Sequence, residues 1–276
     1  MKVHLPQKQE QPGLHNLVQA SAGVYSGSEP EGEFGFASLE TLGIRTIVSV
    51  DGARPDIELA HKHGIRYVHI PIGYDGIPPT AASAITRAAR ESDGLLYIHC
   101  HHGKHRGPAA TAVACLARGD ATKDKAVEIL ELAGTSRDYA GLWRDVEHYT
   151  PPDPKSSLPE LVEVADVPSF AQSMAHVDRC YDRVKQLADA GWSAPANSAD
   201  EAPAHQAILL QEALFESARL LDEKTPEECR DWLNAADATA TELFEAVKAQ
   251  DGARATESFR RLERSCKQCH VKYRDN

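Results

Sequence analysis

The sequence predicts two domains of different class: an α/β domain on a mostly parallel central sheet, then an all-α antiparallel four-helix bundle. Residues 16 to 150 alternate short β-like apolar runs with helical stretches, whereas residues 169 to 275 hold only long helical periodicities. Between them "TPPDPKSSLPELVEVADVP" is rich in proline and serine, the composition of a linker. The reading is therefore a first domain over residues 1–150, a linker over 151–168 and a second domain over 169–276, with the boundary near residue 155. A chain of 276 residues also exceeds the usual size of one domain.

In the first domain, "RTIVSV" (45 to 50), "RYVHIPI" (66 to 72) and "LLYIHC" (95 to 100) are apolar runs rich in β-branched and aromatic residues, as buried strands are. The segments "DIELAHKHG" and "PPTAASAITRAARESDG" read as helices closed by glycine, and a further helix runs from near Arg106 through "GPAATAVACLA". In the second domain four stripes recur at steps of three and four. They are Phe170 to Leu187, Ala207 to Leu221, Cys229 to Val247, and Ala255 through Phe259, Leu262, Cys266 and Cys269 to Tyr273.

Charge narrows the partners. A formal net charge of −11 removes any whole-molecule attraction to nucleic acid or anionic lipid, and no apolar run approaches the roughly 20 residues that span a bilayer. Neither nucleic acid nor membrane is expected as a partner, and an anionic substrate must be captured locally. The six cysteines (100, 115, 180, 229, 266, 269) are too scattered for a disulfide scaffold. The start, "MKVHLPQKQEQPG", has no apolar core of an export signal.

The stretch "IHCHHGKHRGP" (98 to 108) holds four histidines and a cysteine, yet strand alternation points His99 and His101 one way and Cys100 the other, which does not converge on a metal. A strand ending at Cys100 and a helix starting near Arg106 instead aim backbone N–H groups and the positive helix end at one point. That is an anion pocket, and the same field favours the thiolate of Cys100 as a nucleophile. Arg106 can close it with two parallel hydrogen bonds to an oxyanion. Gly103 lets the backbone approach, while Lys104 and His105 add charge. His101 and His102 complete the rim.

His99-Cys100-x5-Arg106 resembles the signature of the cysteine-dependent protein tyrosine phosphatases, and "HCHHGKHRG" is most similar to the dual-specificity branch with small, atypical members. "NLVQASAGVYSGSEP" and "LETLGIRTIVSVDG" resemble that family's opening strand, first helix and second strand, so the likeness spans roughly residues 16 to 148. It implies an α/β phosphatase fold, a metal-free site, a phosphocysteine on Cys100, a transferring phosphoryl group held by Arg106 and a general acid on an upstream loop. In "HIPIGYDGIPPT" that acid is Asp75, whose alternative is an ordinary turn aspartate before Gly76. Asp51 is the lesser candidate and shapes a turn. The family's usual Ser or Thr after the arginine, which assists the leaving cysteine, is replaced by Gly107, which puts turnover in question.

The tail "CKQCHVKYRDN" holds Cys266-x-x-Cys269-His270, readable as a redox dithiol, half a zinc site or a c-type haem attachment. Its place at the end of the fourth helix resembles the cytochrome c′ family over roughly residues 165 to 276. That likeness implies covalent haem c on Cys266 and Cys269, with iron on His270. Antiparallel packing of the first and last helices brings Met174 level with it, as a sixth ligand or as core packing. Arg274 is a partner for a haem propionate or a solvated terminal residue.

Two functions from different classes follow. One is a phosphomonoester hydrolase of the tyrosine or dual-specificity type, acting on a small phosphorylated molecule or a phosphoprotein under redox control by haem. The other is an electron-transfer or gas-binding haem protein whose phosphatase-like domain only binds an anion. Haem c implies a bacterial periplasmic location, with an export signal absent from the sequence; an unfilled haem site would allow the cytoplasm. A redox partner and a homodimer through the helical domain are further expectations.

Overall fold

The computed structural model describes residues 5–193 and 202–273. The chain divides into two compact units, Met1–Val167 and Pro168–Asn276.

The first unit is built on six strands, β1 (Gln7–Lys8), β2 (Val18–Gln19), β3 (Val24–Ser28), β4 (Ile44–Ser49), β5 (Arg66–His69) and β6 (Leu95–Cys100), in the order β1-β2-β3-β6-β4-β5. The last four are parallel, while β1 and β2 extend the sheet antiparallel beyond β3. The run "RYVHIPI" forms strand over Arg66–His69, and beyond it Ile70 and Ile72 still donate to the Ser49 (2.8 Å) and Val50 (3.3 Å) carbonyls. Central strand β6 lies between β3 and β4, and Leu96 to Cys100 are all buried.

Register sorts the side chains by face. Tyr25, Tyr97, Ile47 and Tyr67 fall in one row across the sheet. They form a core with Phe36 and Leu39 of α1 (Gly32–Leu42) and Ala60 of α2 (Ile57–Lys62). Helix α3 (Pro79–Glu91) packs on α4 (Arg106–Arg118), and α4 packs on β3 and β6. α5 (Lys123–Ala133) and α6 (Ala140–His148) pack against α4 as well. The sequence of α4, "RGPAATAVACLAR", is nearly all small residues and is buried from Arg106 to Ala117, which lets sheet and helices approach it on every side. The connection from β6 to α4 therefore lies at the carboxyl ends of parallel strands, where such sheets place ligands.

Residues 151–168 are no free linker. Arg90 donates to the Pro152 carbonyl (3.0 Å) and Arg87 to that of Pro159 (2.9 Å). The His69 N–H reaches the Val162 carbonyl at 2.9 Å. The division consequently falls after Val167 rather than near residue 155. Proline-rich composition marks a segment without its own hydrogen bonds; here the α/β unit supplies them.

The second unit holds α7 (Phe170–Asp189), α8 (Pro203–Arg219), α9 (Glu227–Lys248) and α10 (Gly252–Tyr273). α7 packs on α8, α8 on α9 and α9 on α10. Ser169 opens α7 with a capping box to Gln172. Trp192, just past α7, donates to Thr256 near the start of α10 (3.0 Å), and Tyr181 stacks on Phe259 at 5.2 Å. Those contacts set α7 and α10 antiparallel. Lys272 and Tyr273 likewise bond Glu228, joining the end of α10 to the start of α9.

Candidate functional site

Cys100 ends β6 with 4% exposure, and residues 101–105 turn the chain into α4. Three carbonyls of this turn are held from outside it. The Glu29 N–H donates to His101 O (3.1 Å), Asn16 Nδ2 to Gly103 O (2.8 Å) and Thr135 Oγ1 to Lys104 O (2.6 Å). Among the described residues no peptide bond is cis, so each N–H points opposite the carbonyl of its own peptide unit. Fixing the carbonyls of 103 and 104 outward thus turns the amides of 104 and 105 inward. Among the described residues, the amides of Gly103, Lys104, His105 and Gly107 have no protein acceptor. The His105 side chain does not cap α4, so its positive end stays open, and Pro108 brings no N–H to it. Such a row of donors is built for an oxyanion.

Gly103 is required here. Its φ is +67°, and a Cβ would lie 2.3 Å from the Gly27 carbonyl carbon. Gly107 stands beside the thiol: a Cβ there would be 3.1 Å from the Cys100 nitrogen and 3.4 Å from Sγ.

Arg106 is 2% exposed. Its Nη2 donates to Asp51 Oδ2 (3.3 Å) and to the Tyr74 hydroxyl (2.9 Å), and its guanidinium carbon lies 4.2 Å from the Tyr74 ring centre. Asp51 does shape a turn, accepting the Ala53 N–H at 2.8 Å. It also anchors the arginine, a role that the sequence does not reveal. Asp75 is exposed in the loop after β5, with Oδ1 folded over Gly73. α6 pins this loop: Asp145 accepts the Ile77 N–H (2.6 Å), and Gly141 leaves room for the Asp75 carbonyl.

The histidines differ from one another. His99 is buried against the Tyr67 hydroxyl (Nε2 to oxygen 2.6 Å), and burial pushes its pKa down to about 4. His105 was expected to add charge; instead burial, with Lys104 and Arg106 near, lowers it to about 4. Its Nδ1 accepts the Ser136 N–H (3.4 Å) and its ring packs on Tyr139 at 4.3 Å. At neutral pH the ring is therefore uncharged, and what His105 offers an anion is its amide. His101 meets Glu29 (3.2 Å), while His102 and Lys104 are exposed on the rim.

In the second unit Cys266, Cys269 and His270 share the last turns of α10, all half-buried. Burial pushes the Cys266 thiol up to about 11 and raises Cys269 as well. Among the described residues no three His, Cys, Asp or Glu side chains converge as a metal-binding group. Met174 lies seven residues before Tyr181 and Cys266 seven after Phe259, so the Tyr181–Phe259 contact sets Met174 level with Cys266. Met174 is half-buried rather than core. Two thiols on one helical face, an imidazole beside them and a thioether at the same level are a donor set that fits haem c. Arg274 lies outside the described residues.

No family model and no curated protein matches the chain. Solved structures do. TpbA of P. aeruginosa is 22% identical, with 52% of this chain and 89% of that one covered at a TM-score of 0.44. The core catalytic domain of the PP-IP phosphatase SIW14 of S. cerevisiae is 17% identical, covering 51% and 88%, with a TM-score of 0.44. Human DUSP28 is 16% identical, covering 50% and 97%, with a TM-score of 0.38.

The residues that sequence reasoning missed are those that hold the loop: Glu29, Asn16, Thr135 and Tyr74. Asn16 carries the one available signal, a φ of +48° that asparagine tolerates better than most residues.

Proposed function

We propose that the α/β unit is a cysteine-dependent phosphomonoester hydrolase of the tyrosine or dual-specificity type. The observation that supports it most is the set of inward amides around Cys100, left without acceptors because Glu29, Asn16 and Thr135 hold the carbonyls. Those amides and Arg106 bind three phosphate oxygens, and the Cys100 thiolate attacks phosphorus from the strand side. The S–P bond forms as the P–O bond to the leaving group breaks, and Asp75 gives that oxygen its proton. Water then attacks phosphorus, passes a proton to Asp75 and expels the thiolate. Because Asp75 is exposed, it protonates the leaving group once substrate covers it. Hydrolysis of an aryl phosphate by the full chain tests this reading: activity surviving Cys100→Ser sinks it.

The helical unit, in the same proposal, carries haem c on Cys266 and Cys269 with iron on His270, which assigns the protein to the bacterial periplasm. When bound, the haem supplies a one-electron redox centre or a gas site, the means of redox control over hydrolysis. Protein matured with haem attachment should keep a Soret band after denaturation. Its loss in Cys266→Ala/Cys269→Ala is the expected control.

Gly107 favours a second reading, an anion-binding unit without turnover, because this position, whose Cβ would lie 3.4 Å from Sγ, brings no hydroxyl of its own. One equivalent of released aryl alcohol with no steady state would select it.

A further inference from the structure

His69 is 2% exposed at the end of β5, and all three of its nitrogens are hydrogen-bonded. Its N–H donates to Val162 O (2.9 Å), and its Nδ1 accepts the Ala165 N–H (3.2 Å). Since a backbone N–H can only donate, Nδ1 is unprotonated and Nε2 carries the hydrogen, which it gives to the Asp51 carbonyl at 2.9 Å. Asp51 in turn holds Arg106. Residues 158–165 are tied down further by Arg87 on Pro159 O (2.9 Å) and by the His61–Glu163 pair (2.8 Å).

We propose that residues 158–165 are a positioning strap for Arg106, acting through His69 and Asp51. The proposal rests on the phosphatase reading and adds to it a segment with no chemistry of its own. The guanidinium takes its direction from Asp51 Oδ2, the Tyr74 hydroxyl and the Ile72 carbonyl, so a shift of the Asp51 backbone would make it pivot. Fixing the backbone of Asp51 from behind limits that pivot, so Arg106 meets the phosphate in one orientation.

Two substitutions separate the links. His69→Gln places an amide nitrogen where Nε2 was, keeping the bond to Asp51 while losing the acceptor for Ala165. His69→Asn does the converse. The full-length protein is assayed for steady-state aryl phosphate hydrolysis, for inorganic phosphate binding by calorimetry and for thermal unfolding. Each substitution is expected to raise KM and the phosphate Kd together by about tenfold, with the folded fraction unchanged. Unchanged KM and Kd in His69→Gln overturn the strap, as does a fall in kcat that only tracks lost folded protein. Phosphate binding reads Arg106 without turnover: if wild type binds phosphate but does not exceed Cys100→Ser in hydrolysis, the phosphatase reading fails while the strap is still judged by Kd. If wild type binds no phosphate, both fall.

Discussion

The two cysteine sites of this chain are built in opposite ways. Around Cys100 the loop is fixed before any ligand arrives: carbonyls are tied by Asn16, Thr135 and Glu29, and Arg106 is docked on Asp51. At Cys266 and Cys269 the two thiols and the His270 imidazole lie on one helix, and the thiols are held protonated by burial. An oxyanion site can be completed by protein dipoles alone, so its geometry is present in the bare chain. The haem c proposed there would supply most of its own surroundings, so the protein would need to offer only attachment points and an axial ligand.

Exchanging the nucleophiles sharpens this contrast most. Cys100→Ser should lower aryl phosphate hydrolysis by on the order of 10⁴-fold or more, whereas Cys266→Ala/Cys269→Ala should remove covalent haem and leave haem-free hydrolysis within about twofold. Activity assays beside denatured absorption spectra decide both. Loss of hydrolysis in the haem-free double substitution would break the separation of the two sites.

Next in size is Gly103→Ala. A left-handed backbone at φ +67° and a methyl carbon 2.3 Å from Gly27 backbone should together cost about 2–5 kcal/mol, seen as a lower Tm of the α/β unit. No residue of the Cys266 motif carries such a constraint, and Lys267→Ala between the cysteines, an exposed position, should change stability by about half a kcal/mol or less.

Acid should also act on the two units unequally. His99 and His105 have folded pKa values of about 4, below the ordinary imidazole value. The unfolded chain therefore binds more protons between about pH 6.5 and 4. The stability tied to the neutral rings is fully present above that window and is lost as pH falls through it, by up to about 3 kcal/mol per histidine. Chemical denaturation at pH 7 and pH 5 should show the loss in the α/β unit. Tyr67→Phe, which removes the hydroxyl partner of His99, tests whether that ring lies on the path of the loss.

How much of this was legible in the sequence follows the same contrast. The parallel strands, the helix from Arg106 and the helical stripes are local periodicities, and they recur in the structure within a few residues. The spacing of Cys100 to Arg106 was equally readable, because strand, loop and helix are contiguous. The clamps were not: Asn16 and Thr135 lie 87 and 31 residues from the carbonyls they hold, so no local pattern links them to the loop. His105 misled for the same reason, since its charge state depends on Ser136 and Tyr139 closing over it. The linker misled because proline-rich sequence reports a lack of internal hydrogen bonds and says nothing of external ones.

The smallest effect concerns Gly107, the position where the loop departs from the pattern it resembles. A serine there would put its Cβ 3.4 Å from Sγ and 3.1 Å from the Cys100 nitrogen, so the strand end must yield by a few tenths of an ångström. The strain should lower stability by about 1 kcal/mol. In return the hydroxyl reaches the sulfur that must leave when the phosphocysteine is hydrolysed, and a hydrogen bond to a developing thiolate is worth about tenfold in that step. Wild type should therefore show a burst of aryl alcohol followed by slow turnover, and Gly107→Ser a smaller burst with a faster steady state. No burst in wild type, with an unchanged steady state in Gly107→Ser, would place the limit before the phosphoenzyme. The glycine would then be a packing choice at the crowded end of β6 and no brake on the chemistry.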